Sequence, residues 1–124
     1  MSSGKSCAEV TVVLGTDMMI GVARPTVDVN APSSWMAATF WGWHGRHGKL
    51  CHTGGSHGWS QGYATGDVLR LLLDSDAGTL TAKKNGTLLG VMVTQDLTGD
   101  LCWAVSSYVR GESVRIKAVD PADF

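Results

Sequence analysis

The stretch GDVLRLLLDSDAGTLTAKKNGTLLGV, Gly66 to Val91, decides the fold. Its first part alternates: Leu69, Leu71 and Leu73 point one way, and Val68, Arg70 and Leu72 the other. That period of two is a strand with one face in a core. Ser75-Asp76-Ala77-Gly78 then forms a tight turn, with Asp and Gly where turn geometry wants them. Two short strands flank Asn85-Gly86, and both of these residues tolerate the positive φ of a type I′ hairpin turn. Asp74, Gly78, Asn85 and Gly86 could be taken for metal or phosphate ligands. Turn chemistry explains them without a ligand, so they read as structural.

The same period extends outward. In AEVTVVL, Val10, Val12 and Leu14 oppose Glu9, Thr11 and Val13. MMIGVA is a short apolar strand, and RPTVDVNAPSS a proline-containing loop. WMAATFWGW is strand-like and aromatic. KLCH is a short strand inside a glycine-rich region that runs from His44 to Gly66. DLCWAVS and SVRIKAV close the chain. In the last, Val114, Ile116 and Ala118 alternate with Arg115 and Lys117, which predicts one buried face and one wet face. No run of twelve or more residues has helical spacing. Short strands punctuated by turns predict an all-β sandwich or barrel.

Size and charge narrow the function. The chain has 124 residues and a mass of 13.1 kDa, is 44% hydrophobic and carries a net charge of −1. One domain spanning 1–124 is expected. The near-neutral balance offers no electrostatic footprint for nucleic acid or an acidic membrane. No apolar run approaches the ~20 residues of a membrane span. MSSGKSCAEV has no signal-peptide core, so a cytoplasmic or nuclear site is expected. Cys7, Cys51 and Cys102 show no disulfide spacing and read as reduced thiols.

The segment FWGWHGRHGKLCHTGGSHGW, Phe40 to Trp59, gathers all four histidines with Cys51 and three tryptophans. A zinc site needs three or four convergent ligands, yet no pair here has Cys-x-x-Cys spacing. Cys51 and His52 are strand neighbours and point to opposite faces. A catalytic Cys-His pair would also need an orienting group and an oxyanion site. No metal and no catalytic residue is assigned. Trp41 is expected in the core, Trp43 in the core or at a rim, and Trp59 as an anchor or lid.

In their order along the chain, SGKSCAEV, IGVAR, FWGWHGRHGKLCH, GDVLRLLLD, AGTL, NGTLLGV and LCWAVSSYVRGESVRI resemble the SPRY domain, the core of the B30.2 module. The likeness covers about residues 3–119, and WGWHGRHGKLCH is most similar to the SPRY and SOCS-box group. The resemblance implies a bent antiparallel β-sandwich, here without the family's N-terminal extension strands. It implies protein or peptide recognition through loops at one end, with no catalysis and no cofactor, as in ubiquitin-ligase substrate receptors or scaffold proteins. It places partner contacts at Arg24, Pro25, Thr26, Trp43, Cys51, Tyr108, Val109, Arg110 and Gly111. A sheet edge left open by the absent strands would let two chains pair. The alternative reading is a carbohydrate-binding, lectin-like sandwich, with aromatic faces stacking on sugar rings.

Overall fold

Alternation translates directly into two sheets. The computed structural model describes residues 4–25, 40–52, 55–107 and 110–124, with backbone alone at 55–57. The strands are β1 (Lys5–Leu14), β2 (Met18–Ala23), β3 (Phe40–His44), β4 (Lys49–His52), β5 (Gly55–Gly58), β6 (Val68–Asp74), β7 (Thr79–Lys84), β8 (Thr87–Val93), β9 (Cys102–Ser107) and β10 (Ser113–Val119). One sheet has the order β10-β1-β6-β7-β8 and the other β5-β4-β3-β2-β9, and every pairing is antiparallel. Among the described residues the sole helical element is a 3-10 turn, Pro121–Asp123.

The core lies between the sheets. Leu69, Leu71 and Leu73 of β6 meet Val10 and Val12 of β1 and, across the gap, Ile20, Val22 and Trp43. Each of these leucines is fully buried, which stabilises the fold by about 2 kcal/mol relative to exposure. A second cluster, Met19, Ala23, Phe40 and Cys51, is buried on the opposite face of the second sheet. The hairpin turn has φ of 51° at Asn85 and 83° at Gly86, both in the region a type I′ turn requires. Asp74 Oδ1 accepts the N–H groups of Asp76 and Ala77 at 3.1 Å, and Gly78 closes that turn at φ 75°.

Three sequence expectations need correction. Leu14 is exposed, because a bulge between Val12 and Leu14 turns the end of β1 off the core register. β5 was not expected: Gly55–Gly58 has no apolar alternation, and its pairing with β4 is what makes it a strand. Ile116 pairs with buried Val10 and so faces inward, yet it is 44% exposed, and Ala118 is exposed too. The alternation in β10 is real, but among the described residues no further strand covers the sandwich at that edge. The strand expected to reach back to Trp35, and the loop from Thr26, lie outside the described residues.

Candidate functional site

Strand register settles which predicted residues can act together. β2 runs antiparallel to β9, with Met18 opposite Ser107 and Ala23 opposite Cys102. Arg24 and Pro25 therefore leave β2 at one end of the sandwich, and the turn holding Arg110 and Gly111 leaves β9 at the other. Five strand steps of ~3.3 Å separate these ends by about 17 Å. Thr26, Tyr108 and Val109 lie outside the described residues.

Arg24 spends its donors inside the fold. Its guanidinium donates to the carbonyls of Thr98, of Asp96 at 3.0 Å and of Asp100 at 3.4 Å, and it lies 5.5 Å over the Trp41 ring. His52 stacks on Trp41 at 4.5 Å, with Nδ1 2.8 Å from the Phe40 carbonyl. This end is closed by the segment from Thr94 to Leu101, whose Leu97 and Leu101 plug the core. Trp43, expected to touch a partner, is 0% exposed and donates Nε1–H to the Gln61 carbonyl at 3.0 Å. Its inward strand position takes it out of reach. Cys51 is likewise buried, against Met19 and Phe40. Burial pushes the Cys51 thiol up, the opposite of what a nucleophilic cysteine needs.

At the opposite end, turns far apart in sequence converge. The Tyr63 hydroxyl lies 2.9 Å from the Met18 carbonyl and 2.7 Å from that of Trp43, tying the segment after β5 to β2 and β3. Burial pushes its phenol well above the ordinary range. The rings of Tyr63 and Trp59 meet that of Trp43 in T-shaped contacts at 5.0 and 5.7 Å. Backbones touch here as well. Gly45 donates to the Met18 carbonyl at 3.0 Å, and Tyr63 to that of Gly45 at 2.8 Å. A Cβ on Gly62 would lie 1.9 Å from the Gly45 oxygen, so only glycine permits this approach. Glu112 Oε2 accepts the N–H groups of Thr16 and Asp17, both at 2.8 Å, which locks the last turn against the first.

These turns border a cleft of about 320 Å³ lined by Thr16, Arg46, Gly62, Tyr63, Asp67 and Lys84. Arg46 pairs with Asp17 at 2.6 Å and keeps about half of its side chain in solvent. Lys84 donates to Gln61 Oε1 and the Gly62 carbonyl, each at 2.9 Å. Burial raises the Asp67 carboxyl, but hydrogen bonds from Asn85 and Ala64 and the Lys84 charge outweigh it and hold the group below its ordinary range. His44 and His47 stack at 5.2 Å beside the cleft. Burial, then the charge of His47, depress His44. Among the described residues, no three His, Cys, Asp or Glu side chains are placed to hold a metal ion. No helix among them is long and apolar enough to cross a membrane.

Tyr63, Gly45, Gly62 and Glu112 were not singled out from the sequence. A lone tyrosine inside SQGYATGD was the one available signal.

The architecture is a two-sheet antiparallel β-sandwich with a cleft among its end turns. The SPRY domain family model matches residues 8–119, and the chain belongs to that family. SPRY domains are generally protein–protein interaction modules. Among solved structures, the crystal structure of the SPRY domain of human HERC1 is similar, with a TM-score of 0.74 at 23% identity. That alignment covers 97% of this chain and 77% of the HERC1 chain. Comparison with curated proteins finds no match.

Proposed function

We propose that this SPRY domain binds a short segment of a partner protein at the cleft end, between the turns at 15–17, 44–48, 60–67 and 110–112. The observation that carries the reading is the cleft itself. Its walls are tied by Tyr63 and Glu112 into one preformed surface, which lowers the ordering cost of binding. Arg46 on its wall and Arg110 on the neighbouring turn offer guanidinium forks for carboxylates or backbone carbonyls of the segment. Tyr108, Val109 and Gly111, sequence neighbours of Arg110, complete the proposed contact set. Arg24 and Pro25, at the other end, are assigned to the fold instead. The likeness of WGWHGRHGKLCH to the SPRY and SOCS-box group supports an extended peptide as the ligand, with a ubiquitin-ligase receptor or a scaffold as the parent context.

The test is a peptide-display selection on the chain, with Arg46→Ala/Arg110→Ala as control. Peptides enriched on the parent and lost on the folded variant support the site. Peptides retained by the variant, or no enrichment on either, count against it.

A further inference from the structure

Among the described residues β9 and β10 are the facing edge strands of the two sheets, and their inward side chains are incompletely covered. Val105 pairs with buried Ile20 and Ile116 with buried Val10, so both point toward the core, yet they are 39% and 44% exposed. Trp103 and Val114 are only partly buried beside them. The gap continues into a cavity of about 380 Å³ between Cys7, Trp103, Ala118 and Pro121. Among the described residues β10 has a hydrogen-bonded neighbour, β1, on one side alone, and it contains no proline that would remove a donor.

The outer face of β10 identifies what would pair with it. Arg115 and Lys117 alternate with Val114, Ile116 and Ala118. On the β1 side Lys117 meets Glu9 at 3.1 Å, and Arg115 lies opposite uncharged Thr11. A strand added on the open side would set its own outward residues beside these two cations. Acidic residues are favoured there and basic ones disfavoured. Its inward residues would complete the apolar gap. A second copy pairing through β10 would bring Arg115 and Lys117 of the two chains together, which like-charge repulsion opposes.

We infer that β10 is an acceptor edge for an extended partner segment in which apolar residues alternate with acidic ones. The segment extends the β10-β1-β6-β7-β8 sheet and closes the open side of the sandwich. This site is separate from the cleft at the end turns.

The experiment titrates two fluorescein-labelled eight-residue peptides, valine alternating with glutamate and valine alternating with lysine, and reads anisotropy. The chain is tested as it stands, as Arg115→Glu/Lys117→Glu and as Ile116→Asp. All three substituted positions are exposed, and thermal unfolding checks that the variants fold. The glutamate peptide is expected to bind about tenfold tighter than the lysine peptide, with the preference inverted by charge reversal. Ile116→Asp is expected to weaken binding about tenfold through the lost apolar contact. Arg46→Ala/Arg110→Ala should leave the glutamate peptide bound, which keeps this result independent of the cleft. Binding of neither peptide overturns the proposal, as does binding without charge preference or binding indifferent to Ile116→Asp. A concentration-dependent dimer in sedimentation velocity, abolished by Ile116→Asp, would overturn it in favour of a second copy.

Discussion

Glu112 Oε2 occupies the place a side chain on Gly15 would need: a Cβ there would lie 2.3 Å from that oxygen. Gly15 also has φ of 124°, a conformation side chains disfavour. The first and last turns of the cleft end are therefore built around each other. Glu112→Ala leaves the Thr16 and Asp17 N–H groups without their charged acceptor and is expected to cost about 2–4 kcal/mol. Gly15→Ala should destabilise as well, through strain and collision. Urea unfolding of both variants measures this. A loss below about 0.5 kcal/mol for Glu112→Ala would remove the carboxylate from its assigned role.

The Tyr63 hydroxyl joins β2, β3 and the segment after β5. Tyr63→Phe keeps the ring against Trp43 and removes only the hydroxyl, whose single proton serves one of the Met18 and Trp43 carbonyls at a time, while Met18 keeps the Gly45 N–H. A loss of about 1–3 kcal/mol is expected. Amide exchange should rise first in residues 60–66, where the tie is cut. Uniform faster exchange across all strands would show that the hydroxyl serves global stability alone.

His44 predicts a pH dependence. Burial and His47 hold its folded pKa below the ordinary value of about 6.5, so the folded state binds fewer protons than the unfolded state as pH falls through that value. Its contribution is fully present above about pH 6.5, is lost as pH falls, and levels off below the folded pKa. The depressed carboxyls of Asp67 and Glu9 add a further loss at more acidic pH. In His44→Gln the decline between about pH 7 and 5 should flatten. An unchanged slope of urea midpoint against pH would exclude His44 as its source.

Arg24 predicts a separation of stability from binding. Arg24→Ala removes the donors that hold the Asp96, Thr98 and Asp100 carbonyls, along with the contact over Trp41, and should cost about 1–3 kcal/mol. Affinity for a peptide bound at the opposite end should not change. A folded Arg24→Ala protein that loses such a peptide would move the recognition site to the Arg24 end. In the same segment Asp96 has φ of 77°, and Asp96→Gly should stabilise by about 0.5–1 kcal/mol by relieving it.

Local chemistry made much of the fold legible. Leu69, Leu71 and Leu73 declare a buried face whatever their partners, and Asn85-Gly86 declares its turn from two residues. Trp41 and Trp43 share a face, opposite Phe40, as their spacing requires. Gly55–Gly58 carries no such signal, because a glycine-rich edge is a strand only through the neighbour that pairs with it.

The site was less legible, for a topological reason. Arg24 and Arg110 are equally plausible ligand-binding residues as sequence, and only the antiparallel register of β2 with β9 sends them to opposite ends. Gly45, Gly62 and Tyr63 meet across loops whose approach no local period encodes. The exposure of Ile116 is likewise invisible to its own alternation, since burial depends on whether a facing edge strand comes close enough to cover it. Periodicity and turn residues, being properties of neighbours along the chain, determined the strands, the all-β class and the core faces. Which turns converge, which cations remain available and where the sandwich stays open depend on contacts between distant segments, and only the tertiary structure decided them.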